Sequence, residues 1–423
     1  MVFMGKKFYV VQEAEIVDPT VRKNFADCLD SKDIHQSAEG ERYNFVGFIF
    51  TNDKMLISFP KRMFGSVKRK YLEENVASLK KYMRLLFKCI VKASSQKGEK
   101  FAGIRQELAS SFPFTDFLEI YKYYIIYGLY SKEREIKKFG YAGTISWKDT
   151  ILRSQKIITE GNLLFQPLVI REDIREHVFI SKCMAYAIDS TLDQFSFFLE
   201  GRKTGLDIKD IDFQNRNNVI KKLKRAKTSA FKDADKKLIH ALISFFESID
   251  PRGGIFQLKI YSFHVVWEDM VRHYLTRFFK GINDRNEMEF SDEARKNEFK
   301  KRIFHPDIRG EAGYALEPDF YWYLKDKNIR YIFDAKYYHK IEELDHKQIS
   351  YYFLLKHYGL DKNNPGQVTD QPKTYNALIL PSEGENESIV HFRLNPFFNR
   401  DENDFEIIEQ YLNMEKVMEY YFK

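Results

Sequence analysis

Between Ala315 and Tyr338 two aromatic-rich runs, Phe320-Tyr321-Trp322-Tyr323-Leu324 and Ile329-Arg330-Tyr331-Ile332-Phe333, flank the polar tetrad Lys325-Asp326-Lys327-Asn328. Aromatic and β-branched residues suit a pleated, half-buried surface, and four polar residues leave room only for a tight reversal, so the segment is expected to form an antiparallel hairpin. If Leu324 pairs with Ile329, every other partner follows: Asp319 faces Asp334, and Glu317 faces Lys336. Facing side chains in such a ladder have Cβ atoms about 5 Å apart. Two carboxylates at that distance repel by roughly 3 kcal/mol at an effective dielectric of about 20, so a fold that holds both needs a compensating cation.

A hard divalent ion meets that need, because Mg2+ takes oxygen ligands from carboxylates, water and phosphate. Lys336 lies two residues from Asp334 on the same face, where its ammonium can meet an attacking water or the charge growing on a phosphodiester. The plainer alternative has these positions facing solvent, with Glu317 and Lys336 as a cross-strand ion pair worth less than about 1 kcal/mol. That alternative leaves the facing aspartates unexplained.

Upstream, Phe263, Val266, Trp267, Met270, Val271, Tyr274, Leu275 and Phe278 recur at helical spacing and predict an amphipathic helix. Glu268 projects about 20° from the core-facing Leu275 position, at the stripe's edge, where a carboxylate either snorkels or serves a site. Downstream, a helix is expected from about Leu344 to Gly359, with Gln348 and Tyr352 neighbours at i, i+4. A strand follows at Asn376-Ala377-Leu378-Ile379-Leu380-Pro381. His339, His346 and His357 surround these residues, but imidazole is a poor Mg2+ ligand and they are expected to be bystanders.

Pro318-Asp319 followed by Asp334-Ala335-Lys336 resembles the PD-(D/E)xK nuclease superfamily, and the order of elements agrees: helix with Glu268, two strands with the acids and lysine, then a helix. Phe333-Asp334-Ala335-Lys336-Tyr337-Tyr338, with Gln348 and the later strand, is similar to McrC and the related LlaJI-type restriction subunits. Gly143-Thr144-Ile145-Ser146-Trp147-Lys148-Asp149-Thr150-Ile151 resembles a G-R-I-x-(F/W)-x-x-T-I segment of McrC, with Thr144 where that family has arginine.

The resemblance implies a metal-dependent DNA endonuclease with Asp319, Asp334, Lys336, Glu268 and Gln348 as catalytic residues. Asp319 and Asp334, with Glu268, would hold Mg2+, and Mn2+ is expected to substitute. It implies double-stranded DNA as substrate and an McrB-like AAA+ GTPase or ATPase as partner; homodimerisation to cut both strands stays open. No G-x-x-x-x-G-K-(S/T) occurs in the chain, so nucleotide is expected to bind elsewhere. Two other classes stay open: a motor-independent nuclease of repair or recombination, and a non-catalytic DNA-binding scaffold.

At 423 residues the chain is too long for one core. The expected division is a small mixed α+β domain over 1–95, a mainly helical middle domain over 96–254, and an α/β nuclease domain over 255–423 with a mixed central sheet flanked by helices. Pro251-Arg252-Gly253-Gly254 marks the clearest boundary. In the first part Tyr43–Phe50 and Met55–Phe59 read as strands joined at Thr51-Asn52-Asp53-Lys54. Lys61, Arg62, Lys68, Arg69 and Lys70 follow, either as a phosphate-holding cluster or as a solvated loop and helix start. Asn218–Lys237 carries eight basic residues, readable as an exposed helix or a DNA-backbone surface. Phe112–Tyr130 carries an aromatic face expected to be core. Trp147 is expected either to anchor the partner or to lie in the core.

The balance of 68 Lys and Arg against 61 Asp and Glu, a formal +7, is only a mild bias toward polyanions. Cys28, Cys89 and Cys183 have no metal-type spacing and suggest neither a disulfide framework nor a zinc site. No apolar run reaches transmembrane length, so a cytoplasmic protein is expected.

Overall fold

The computed structural model describes residues 7–51, 53–94, 108–228, 230–249, 256–291, 297–310, 312–356, 358, 371–398 and 405–422. They fall into two compact units, one made of Met1–Ser111 with Gly253–Lys423, the other of Phe112–Arg252.

In the first unit a five-stranded sheet runs in the order Lys7–Gln12, Lys54–Phe59, Val46–Phe50, Phe256–Ile260, Leu108–Ser110. Val46–Phe50 and Lys54–Phe59 form the expected antiparallel pair. The strand Phe256–Ile260 then lies against Val46–Phe50. This contact demands a glycine at position 47, since a Cβ there would sit 1.9 Å from the Leu258 carbonyl oxygen. Lys259 is wholly buried and its ammonium meets Asp33 at 2.6 Å, adding a long-range ionic tie between the two chain segments.

The expected separate domains 1–95 and 255–423 are therefore one unit. The alternation of Phe256, Leu258 and Ile260 announces a strand, but its partner lies some two hundred residues back and no local period encodes that. The expected boundaries at residue 95 and at Pro251–Gly254 lie outside the described residues.

The second sheet of this unit runs Phe320–Leu324, Ile329–Ala335, Lys373–Ser382, Glu406–Asn413, Glu387–Arg393. Its outer pairs are antiparallel and its central pairs parallel. Lys373–Ser382 is buried from Asn376 onward, as a strand covered on both faces must be. The helix Phe263–Phe278 buries all eight stripe residues. Its first ring, Phe263, lies 5.7 Å from Tyr337, and Phe279 after its end lies 5.6 Å from Phe333. The helix His346–Leu355 meets the other face, where Tyr351 and Leu355 cluster with Ile332. Odd and even positions of one strand thus serve opposite faces.

The second unit holds the helices Phe114–Tyr127, Trp147–Arg153, Phe179–Gln194, Arg216–Thr228 and Asp233–Ser248. Phe112 packs on Phe195 and Phe245 at 4.7 and 5.8 Å, so the start of the aromatic run is core, whereas Ile125, Ile126 and Tyr127 are exposed. Between 132 and 176 the expected helical pattern gives way to strands: Lys132–Phe139 pairs with Val169–Glu176, which also pairs with Thr144–Ile145, and Gln155–Thr159 pairs with Asn162–Gln166. The two longest of these strands are mostly charged, so apolar period 2 is weak; cross-strand pairs such as Lys138 with Glu172 help hold them. Among the described residues all three cysteines are free, and no helix is long and apolar enough to cross a membrane.

Candidate active site

The hairpin forms in the register expected, Leu324 opposite Ile329 and Phe320 opposite Phe333. Lys325–Lys327 makes one 3-10 turn and Asn328 closes it in the left-handed region at φ 51°, a conformation asparagine tolerates. Just beyond the last ladder pair the two aspartates lock each other. The Asp319 N–H donates to Asp334 Oδ1 at 3.2 Å, and the Ala335 N–H donates to Asp319 Oδ2 at 3.0 Å. Each carboxylate thus spends one oxygen on the opposite backbone.

Asp334 is buried, which pushes its carboxyl above the usual range against the pull of Lys336 and the Asp319 amide. The Lys336 ammonium stands 3.5 Å from Asp334 Oδ2 and 2.9 Å from Asp345 Oδ2. Burial works against its charge, but Asp334 and Asp345 hold its pKa above that of a free lysine. Asp345 caps the helix His346–Leu355 by accepting the Gln348 N–H at 3.0 Å. Although burial opposes it, the Lys336 hydrogen bond and that amide keep its carboxyl below the usual range.

The plainer alternative, a Glu317–Lys336 ion pair, is not what forms. The segment Lys300–Phe304 returns along the hairpin's outer edge, exchanging backbone hydrogen bonds between Lys300 and Tyr321 and between Phe304 and Leu316. This brings the Lys301 ammonium to 3.0 Å from Glu317, while Asp345 engages Lys336.

Glu268 is half-buried on its helix, within electrostatic reach of Lys301, as is Asp319. Gln348 is buried, and neither atom of its side-chain amide has a hydrogen-bond partner among the described residues. Tyr352 turns away, its ring 4.3 Å from Phe405 in the apolar cluster with Leu378 and Leu380. Tyr351 is the tyrosine nearer the acids: after burial, the charges of Asp334, Asp319, Asp345 and Glu317 raise its phenol's pKa. Burial, and then Lys61 and Arg62, lower the pKa of His339. His357 and the expected helix end at Gly359 lie outside the described residues.

Asp345, Lys301 and Tyr351 were not singled out from the sequence. Asp345 carried a signal, since Asp three residues before Gln is a helix-start signature. Lys301 carried none.

Among the described residues no set of three or more His, Cys, Asp or Glu side chains is grouped to hold a metal. The hairpin brings together two, Asp319 and Asp334, and does not draw Glu268 in with them. Two oxygen donors without nitrogen or sulfur nonetheless fit Mg2+, which commonly takes one or two carboxylates and completes its shell with water and substrate phosphate.

A family model described as LlaJI restriction endonuclease matches residues 45–408. No curated protein matches the sequence. Among solved structures, a chain of the refined half-complex from the tetradecameric assembly of Thermococcus gammatolerans McrB AAA+ hexamers with bound McrC is 12% identical. The match covers 98% of each chain at a TM-score of 0.33. A chain of the cryo-EM structure of the Thermococcus gammatolerans McrBC complex is also 12% identical, with 58% of this chain and 71% of that one covered at a TM-score of 0.15.

Proposed function

Since the chain belongs to the LlaJI restriction endonuclease family, we propose that it is the DNA-cutting subunit of a restriction system, a Mg2+-dependent endonuclease coupled to an McrB-like AAA+ NTPase. The observation that carries the reading is the reciprocal lock of Asp319 and Asp334 with Lys336 held beside them. A PD-(D/E)xK core is supported by the mixed sheet with a helix on each face and by the order of its elements.

In this reading Asp319 and Asp334 would hold the ion, with Glu268 as the further acid assigned to it. The bound ion supplies Lewis-acid stabilisation of the phosphate and an activated water. Lys336 offers a charged donor whose position is set by Asp334 and Asp345 rather than by its own flexible stem, so little reorganisation is left for the transition state. Asp345 is a positioning residue that acts through Lys336. Gln348 brings a buried amide that has no hydrogen-bond partner among the described residues, suited to orienting water or Lys336 once DNA is bound.

Double-stranded DNA as substrate rests on the family. The helix Arg216–Thr228 adds an exposed row of Lys221, Lys222, Lys224, Arg225 and Lys227. The cluster at 61–70 contributes less than its composition suggests, because Lys68 pairs with Glu415 and Arg69 with Glu15. A separate motor is supported by the absence of a P-loop sequence from the chain. Such a system operates in the cytoplasm.

The test is cleavage of plasmid DNA by the full chain assembled with its AAA+ partner, nucleotide and Mg2+. Asp319→Asn and Asp334→Asn should each slow cutting by about a hundredfold or more with the assembled complex intact. Wild-type rates in either variant would remove the site assignment.

A further inference from the structure

The acid cluster contains a second lysine that the mechanism does not use. Lys300–Phe304 runs antiparallel to 316–321 as an outer edge to the hairpin, held by paired backbone bonds at both ends: Lys300 with Tyr321 at 3.2 and 3.0 Å, and Phe304 with Leu316 at 2.9 Å each way. That geometry puts Lys301 alongside Asp319-Phe320. Its ammonium lies 3.0 Å from Glu317, and both side chains are about half exposed, 45% and 43%. Burial works against its charge, but Glu317, then Glu268 and Asp319, outweigh it and hold the lysine protonated. Lys301 is thus ion-paired to Glu317, two residues from Asp319 on the same strand edge, and lies within electrostatic reach of Asp319 and Glu268, both in the set assigned to the metal.

We propose that Lys301 is the resident counter-ion of this cluster: in the metal-free protein its ammonium neutralises carboxylates that a divalent cation would take, and the cation binds by displacing it. The proposal rests on the metal-site reading above. The two lysines differ in the way it requires. Lys336 is 16% exposed and gripped by two carboxylates, so moving it strands a buried charge. Lys301 has a flexible stem, solvent beside it and one exposed ion pair, and such pairs are weak enough to exchange. The chain can therefore keep its acids close together without metal and still release them to it.

The experiment is Mn2+ binding to the full-length chain without DNA, read from the electron paramagnetic resonance of the free ion, so no cleavage is needed. Removing one positive charge several ångströms from a divalent site should tighten Mn2+ about tenfold even with the screening of water. That gain is expected for Lys301→Met, and for Lys301→Gln should methionine disturb packing, while Lys301→Arg should bind as the native chain does. Adding Asp319→Asn to Lys301→Met should cancel it. Native affinity in both neutral variants, with Asp319→Asn still weakening binding, would overturn the role of Lys301 and leave the metal site standing. A gain that survives Asp319→Asn would place the cation elsewhere and overturn the proposal. Native binding in every variant, Asp334→Asn included, would overturn both the proposal and the metal-site reading beneath it.

Discussion

Asp345 joins two tasks in one side chain, since its carboxylate accepts the Gln348 N–H and holds the Lys336 ammonium. Asparagine caps a helix about as well as aspartate but brings no charge, so Asp345→Asn separates the tasks. Its stability should change by less than about 1 kcal/mol, whereas single-turnover cleavage should fall by about tenfold or more because Lys336 keeps only one ionic partner. Asp345→Ala should lose both, with a further stability cost of about 1 kcal/mol in chemical denaturation. Native cutting by Asp345→Asn would mean that Asp334 alone orients the lysine. At this scale Asp319, Asp334 and Lys336 were legible because one register relates all three. The ion pair of Glu317 with Lys301 was not legible, since the register names the neighbour across the strand pair but not a lysine arriving from a third segment.

The helix His346–Leu355 brings Asp345, Gln348 and Tyr351 to the site, and its far end is latched by a residue of the hairpin itself. Arg330 is buried, donating to the Leu355 carbonyl and, at 2.6 Å, to the Tyr358 carbonyl. A guanidinium against the carbonyl end of a helix complements the dipole and satisfies groups the helix cannot pair internally. Arg330→Met keeps much of the volume and removes the latch, so it should cost about 2 kcal/mol in urea denaturation. Hydrogen exchange should quicken along this helix before the parallel strands. Cleavage should fall as well, because the helix orients Gln348 and Asp345. Exchange unchanged at the helix would show that its packing on Ile332 suffices. The helix was legible in its place after the two strands and in the i, i+4 spacing of Gln348 and Tyr352; which of Tyr351 and Tyr352 borders the acids was not, because adjacent helical positions differ by about 100° and only the docked helix selects between them.

Across the whole molecule the proposed work divides between a unit that carries the acid hairpin and one with a large share of exposed apolar side chains. Trp147 opens the helix Trp147–Arg153 and is 56% exposed, so within its own unit it is not a core tryptophan. Just behind it, Asp149 meets Ser146 at 2.5 Å and Lys137 at 2.7 Å, fixing the turn that presents it. If this segment docks on the AAA+ partner, Trp147→Ala should weaken assembly about tenfold or more, as loss of an aromatic anchor does. The chain's own stability should shift by less than about 0.5 kcal/mol. Size-exclusion chromatography of the mixed proteins, beside a melt of the chain alone, measures both. Undiminished assembly would remove Trp147 from the interface.

The sequence by itself determined the elements whose information is local: the hairpin and its register, the buried stripe of Phe263–Phe278, and the strand around Asn376–Pro381, found within Lys373–Ser382. Side chains repeat every 2.0 or 3.6 residues along these elements, so a short window states which face is buried and which residues share it. Only the tertiary structure decided that Phe256–Ile260 completes the sheet of the first hundred residues, that Lys132–Glu176 is strand-rich, and that Lys301 enters the acid cluster while Glu268 stays at its margin. Those outcomes depend on which distant segments close on one another, and a charge pairs with the opposite charge nearest in space, a distance that no spacing along the chain records.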